Sequence, residues 1–228
     1  MRAFLVLWLI AGCAAPQTRQ TATPIVAGHS REGRPIEARV LGDGERTVLI
    51  LATIHGNEAA GTPLLRRLGE HLVAHANLLE GRRVVLVPVA NPDGYANGTR
   101  RNAAGVDVNR NFKTANSHSR TPLSEPESRA IAALIERYRP AVVVSLHQPL
   151  NCVDHDGPAA DLARSMATAG NLPARKLGAR PGSLGSFVGL ELGLPIVTVE
   201  LPRRASRLTS DELWRRYGEM LLVAVARR

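Results

Sequence analysis

Cysteine is almost absent from this chain: Cys13 and Cys152 are the two thiols in 228 residues. If Cys13 is used up near the amino terminus, only Cys152 remains, and no intramolecular disulfide can form. Stability must then come from a buried core and from any bound metal. Long apolar runs are also missing. The single candidate, Ala3 to Ile10 with Ala11 and Gly12 behind it, is about ten residues after a basic Arg2. That is too short for a membrane-spanning helix and has the form of a signal-peptide core. Lysine is scarce as well. The net charge of +9 is carried almost wholly by scattered arginines, without the clustered basic face that nucleic acid requires, so no nucleic-acid partner is expected. A basic chain does suit anionic partners such as cell-wall peptide. No internal repeat or low-complexity tract is present.

With 44% hydrophobic residues, the chain can bury one core of ordinary size. The small residues before Cys13 look like a bacterial lipobox, in which that cysteine carries lipid. The other reading is a secretory leader cut near Ala14 or Ala15. Lipidated Cys13 would anchor the chain to a membrane surface, and without an Asp after it, by analogy with bacterial lipoproteins, that surface is the outer membrane. The expected organisation is a leader over 1–12, lipidated Cys13 and a polar, Pro-bearing tether over 13–24, and one domain over 25–228.

Short apolar runs flanked by turn residues recur at Thr47–Ala52, Arg83–Val89, Ala141–Leu146 and Ile196–Glu200, the pattern of buried central strands. Between them, helical spacing appears in Glu58–His75, Glu125–Tyr138, Ala159–Gly170 and Thr209–Ala226, with Ser124 and Ser210 at cap positions. Alternating strands and helices predict an α/β domain with helices on both faces of the sheet. Ligands in such folds sit at the carboxyl ends of strands. His55, Asn91, His147 and Glu200 all fall at or just after those ends.

His55 and Glu58, three apart after a strand, can reach one ion, although H-x-x-E alone arises commonly by chance. His147 ends another strand, where a loop histidine is the alternative. Together the three make a site of two imidazoles and one carboxylate with a fourth position open, which is the pattern of catalytic zinc. Glu200 ends a buried strand, where a carboxylate is costly unless paired or used. Its roles are a salt bridge or, beside a metal-bound water, a general base. Asp154 and Asp156 follow His147 closely and read either as loop caps or as receptors for a substrate ammonium. Cys152 reads as a buried thiol. His71 and His75, with Leu72 where a zincin needs Glu, read as a solvated helix face, and Arg101 as a solvated neighbour of Arg100.

Asn91-Pro92-Asp93-Gly94-Tyr95, Gly98-Thr99-Arg100-Arg101-Asn102 and Gly105-Val106-Asp107-Val108-Asn109-Arg110-Asn111-Phe112, taken with His55, Glu58, His147 and Glu200, resemble the zinc carboxypeptidase family and, within it, the murein peptide amidase branch. The resemblance runs from His55 to Pro202. It implies a single-domain, three-layer α/β/α fold with a mixed, mostly parallel sheet. It also implies one Zn²⁺ per chain on His55, Glu58 and His147, with Glu200 as base and Arg100 at the scissile carbonyl. Asn109 and Arg110 would hold a substrate carboxylate, and Asp107 would support His55. No tyrosine lies between His147 and Glu200, where pancreatic-type members carry one. The Pro181–Gly189 loop instead looks like the murein amidase branch, which implies hydrolysis of the γ-D-glutamyl–diaminopimelate bond in the periplasm. The rivals are a small-molecule deacylase resembling aspartoacylase or succinylglutamate desuccinylase, and a non-catalytic wall-binding lipoprotein. The Asn91–Gly94 motif and the export signal speak against the first. The complete ligand set and base speak against the second.

The leader reading predicts that the chain sediments with membranes and that Cys13→Ser stays unprocessed. Amino-terminal sequencing and fractionation check this, and a wholly soluble mature chain beginning beyond residue 13 would refute the anchor.

Overall fold

The computed structural model describes residues 22–115, 117 and 121–227. The leader, Cys13 and most of the expected tether lie outside the described residues. Among the described residues, no helix is long and apolar enough to cross a membrane.

Seven strands form one sheet: β1 (Thr23–His29), β2 (Pro35–Leu41), β3 (Arg46–Ala52), β4 (Arg82–Val87), β5 (Val142–His147), β6 (Leu150–Asp156) and β7 (Ile196–Pro202). Their order is β1-β2-β4-β3-β5-β7-β6. The four central strands are parallel, as expected for buried, β-branched runs covered on both faces. The outer pairings β1–β2, β2–β4 and β6–β7 are antiparallel, so the mostly parallel character belongs to the centre.

Successive residues of β3 divide between two cores. Val48, Ile50 and Ala52 face the helices α1 (Gly61–Ala74), α4 (Ala160–Ala169) and α5 (Ser210–Ala226). Leu49 and Leu51 face α3 (Pro126–Tyr138) on the other side. This alternation is the period-2 rule at work in a strand buried on both faces, and it produces the three expected layers. The β3-to-β4 crossover through α1 runs over one face and the β4-to-β5 crossover through α3 over the other. The connections therefore part between β3 and β5, which is where a parallel sheet opens a crevice at its carboxyl edge.

Several boundaries differ from the sequence reading. Among the described residues the first strand starts at Thr23, so Thr23 and Pro24, at the end of the stretch expected to be tether, pair with Val40 and Arg39. Strands β1, β2 and β6 were not expected. β2 alternates charged Glu37 and Arg39 with buried Ile36 and Ala38, and β6 is mostly polar, so neither shows an apolar run. Helix α1 starts at Gly61, after Glu58 has been placed in a turn by its amide bonding to the His55 carbonyl at 3.0 Å. Ser124 and Ser210 are not the caps. Glu125 precedes α3, whereas Thr209 caps α5 in a reciprocal box with Glu212. Asn91 caps a short α2 (Pro92–Asn97) by accepting from the Gly94 amide at 2.9 Å.

Removing the α5 cap with Thr209→Ala should cost about 1 kcal/mol and lower Tm by about 2–4 °C, since Thr209 and Glu212 satisfy each other's amides. A thermal melt checks this, and an unchanged Tm would mean that the box contributes nothing.

Candidate metal and catalytic site

Three loops at the carboxyl edge build the site. The first follows β3, where Thr53 takes a left-handed backbone (φ 56°) that a β-branched residue rarely adopts. Its hydroxyl is held by Thr62 Oγ1 at 2.8 Å, and that contact fixes the turn presenting His55 and Glu58. Next to His55, Gly56 touches the Asn91–Gly94 turn so closely that a Cβ there would lie 1.9 Å from the Gly94 carbonyl carbon. Only glycine permits that approach.

His55, Glu58 and His147, 92 residues apart at the extremes, come together with ligand atoms all within 4.8 Å of one another. His55 Nδ1 lies 2.9 Å from Glu58 Oε1 and 3.2 Å from His147 Nδ1, and His147 Nδ1 lies 2.9 Å from Glu58 Oε2. The Gln148 amide donates to Glu58 Oε2 at 3.1 Å. The other nitrogen of His55, Nε2, meets Asp107 Oδ1 at 3.2 Å. Since a carboxylate only accepts, Nε2 carries a proton there, and a neutral ring would then offer its Nδ1 lone pair to a metal beside Glu58. Two ring nitrogens and a carboxylate facing one point are held there by a proton or a metal cation between them.

The electrostatics agree. Burial disfavours charge on His55, yet Asp107 and Glu58 outweigh it and raise its pKa. Burial likewise opposes ionisation of Glu58, but His147 and His55 hold its carboxyl well below the usual range. Asp107 behaves in the same way, through His55 and then Arg100. Two nitrogens and one oxygen with a free position suit Zn²⁺ in a catalytic setting, and these residues would hold it.

Asp107 joins much of the rest together. Besides His55 it accepts the Asn109 amide at 3.0 Å on Oδ1, and Arg100 Nε at 3.1 Å on Oδ2. Arg100 also donates from Nη1 to Glu58 Oε1 at 3.1 Å. Asn109 Oδ1 accepts the Leu184 amide at 2.8 Å, which leaves the Asn109 –NH₂ as a donor. Arg110 Nη1 donates to the Asn109 carbonyl at 2.5 Å. Glu200 stands beside His147 in the β5–β7 register and accepts the Leu150 amide at 3.3 Å. Burial pushes its carboxyl pKa up, against the pull of His147. All of these except Asp107 line one cavity of about 380 Å³ together with the metal-binding trio.

The remaining expectations divide. Asp154 accepts the Leu177 amide at 3.0 Å and so caps a loop. Asp156 is buried and receives Lys176 Nζ at 2.5 Å. Cys152 is a buried thiol whose pKa burial pushes up. His71 and His75 stack on each other far from the site, and Arg101 is an exposed residue donating to the Gly105 carbonyl. Thr53, Gln148 and Arg180 belong to the site region without having been expected. Gln148 was signalled only by its place next to His147.

Comparison with known proteins agrees with this geometry. The family model described as zinc carboxypeptidase matches residues 14–151, a span that includes the three metal ligands and ends before Glu200. Murein peptide amidase A of Escherichia coli K12 is 36% identical over 192 residues, covering 74% of this chain and 75% of that protein. The crystal structure of the murein-tripeptide amidase of Escherichia coli O157 superposes with a TM-score of 0.66 at 32% identity, covering 89% of each chain. Carboxypeptidase A from Helicoverpa armigera, at 22% identity and a TM-score of 0.73, shares the fold.

The bond from Asp107 to His55 Nε2 predicts that Asp107→Asn weakens zinc affinity or turnover by roughly 10- to 100-fold while leaving the ligands in place. His147→Ala should lose zinc and activity together. Chelator competition reads both, and unaltered affinity and turnover in Asp107→Asn would reduce Asp107 to a structural residue.

Proposed function

Because the chain belongs to the zinc carboxypeptidase family and is a metallopeptidase, we propose that it hydrolyses an amide bond in murein peptides, namely the bond between γ-D-glutamate and diaminopimelate. The observation that carries this reading is the cavity itself. Metal ligands, Glu200, Arg100 and Arg110 open on one space that is also walled by residues 177–180 and 183–185, and no tyrosine is among the lining residues. That wall takes the place of a tyrosine closing over a free carboxyl terminus.

When bound, zinc supplies a Lewis acid and a water of lowered pKa. Glu200 takes the proton of the attacking water and passes it to the departing amine, a task suited to a carboxylate whose pKa burial raises. Arg100 donates to the carbonyl oxygen as charge builds there. Its bonds to Glu58 and Asp107 leave N–H groups unused, because a guanidinium has five. Arg110 and the free –NH₂ of Asn109 hold the carboxylate beside the released amine. Asp156 receives the substrate ammonium on Oδ2, which faces Gly185 at a point where a side chain would come within 2.7 Å; Lys176 occupies the other oxygen. A leader over 1–12 and a lipid on Cys13 would place this activity in the periplasm at the outer membrane, where its substrate is found.

Incubation of the zinc-loaded protein with L-Ala-γ-D-Glu-diaminopimelate and with N-acylated amino acids tests the substrate class. Release of diaminopimelate supports the proposal, and amine release from the acylated amino acids alone would point to a deacylase. Glu200→Gln should keep zinc and lower turnover by about 10²- to 10⁴-fold, and Arg100→Lys should lower it by about 10²-fold. Near-normal turnover in zinc-loaded Glu200→Gln would sink the assigned base.

A further inference from the structure

Arginines other than Arg100 and Arg110 were not expected in the cavity, yet Arg180 lines it. The cationic side chains there differ in how they are satisfied. Arg100 is neutralised by Glu58 and Asp107. Arg110 donates to the Asn109 carbonyl and makes no ion pair with a described residue, and no hydrogen bond or ion pair to a described residue engages the Arg180 guanidinium. Burial lowers the pKa of Arg110, the Asp107 carboxylate opposes that shift, and the charges of Arg100 and Arg180 add to it, so Arg110 and Arg180 sense each other.

Arg180 is also firmly placed. Its carbonyl accepts the Ser183 amide at 3.0 Å and Ser186 Oγ at 2.7 Å. The loop that follows is joined to the Arg110 segment on several sides. Gly182 donates to Thr114 Oγ1 at 2.9 Å, Phe112 donates to the Gly182 carbonyl at 3.0 Å, and Leu184 donates to Asn109 Oδ1 at 2.8 Å. Gly182, with φ +71°, lies so close that a Cβ would be 2.4 Å from the Arg110 carbonyl oxygen. Two like charges on one cavity, on segments whose backbones are tied together and with Asp107 offsetting only part of the repulsion, make that wall a receptor for anions.

We propose that Arg180 is a specificity residue that binds a second carboxylate of the substrate, so that the preferred released residue is a dicarboxylic amino acid with one carboxylate on Arg110 and the other, at the end of its side chain, on Arg180. This rests on the murein-peptide reading and narrows it. A charge-assisted, forked contact of this kind is worth roughly 10- to 100-fold in affinity.

The test compares L-Ala-γ-D-Glu-meso-diaminopimelate with L-Ala-γ-D-Glu-L-Lys, which keeps the distal ammonium and lacks the distal carboxylate. Wild type, Arg180→Gln and Arg180→Lys, all zinc-loaded, are assayed, and Ki as a competitive inhibitor replaces KM for any peptide that is not turned over. The expected result is that Arg180→Gln raises KM about 10- to 100-fold for the diaminopimelate peptide at unchanged kcat and leaves the lysine peptide unaffected, with partial recovery in Arg180→Lys. Equal effects on the two peptides, or none on either, would overturn the proposal. Failure of wild type to bind or cleave either peptide would instead overturn the murein-peptide reading, and this inference with it.

Discussion

A single carboxylate, that of Asp107, sets the orientation of much of the site. It fixes which nitrogen of His55 carries the proton, receives the Arg100 guanidinium and caps the turn that carries Asn109 and Arg110. The metal end and the substrate-binding end of the cavity are therefore aligned through the same two oxygens. A carboxylate this occupied stays ionised despite its burial, because each partner lowers its pKa. Its cost of desolvation is offset by His55, Arg100 and Arg110 together and by the Asn109 amide.

Behind the cavity, a second polar network secures the same loops against the sheet. Ser30 and Arg34 of the β1–β2 turn bond to the buried Asp93 at 2.6 and 2.7 Å. Arg31 forks onto Glu125 with both contacts at 3.0 Å. Asn102, two residues from Arg100, donates to Glu125 at 2.7 Å and to Glu127 at 3.0 Å. The amino-terminal hairpin thus does more than extend the sheet, since it holds the turns from which Arg100 and Asp107 project. Such a network favours one arrangement of these turns, although Glu127 Oε1 is buried without a hydrogen-bond partner.

The central fold was legible because β3, β4, β5 and β7 are apolar and buried on both faces, and a residue that chemistry would need lies at or near the carboxyl end of each. The metal trio followed from residue type and strand position together. What stayed hidden was encoded in pairing and not in periodicity. β6 shows no apolar run, since it is an edge strand that carries Cys152 opposite Glu200 and the polar Asp154 and Asp156 toward the cavity. The Ser124 and Ser210 caps failed for a similar reason. Which of two adjacent residues takes the cap position, Ser124 or Glu125 at α3 and Thr209 or Ser210 at α5, depends on local backbone angles and on partners such as Glu212, which residue preference alone does not resolve. Arg180 was invisible because only the folding of its loop onto the Arg110 segment brings it to the cavity.

The separation of the metal ligands along the chain has a consequence for biogenesis. His147 ends β5 and His55 lies in the turn after the neighbouring β3, yet they are 92 residues apart in sequence, with the whole of β4 and α3 between them. Their meeting point exists only after β5 has docked beside β3, a pairing of high contact order that is slow to form. An unfolded chain offers no preassembled chelate, so metal binding follows the docking of β5 and adds to the stability of the folded state. A chain threaded unfolded through a membrane would cross without its ion and would draw zinc from the compartment in which it folds.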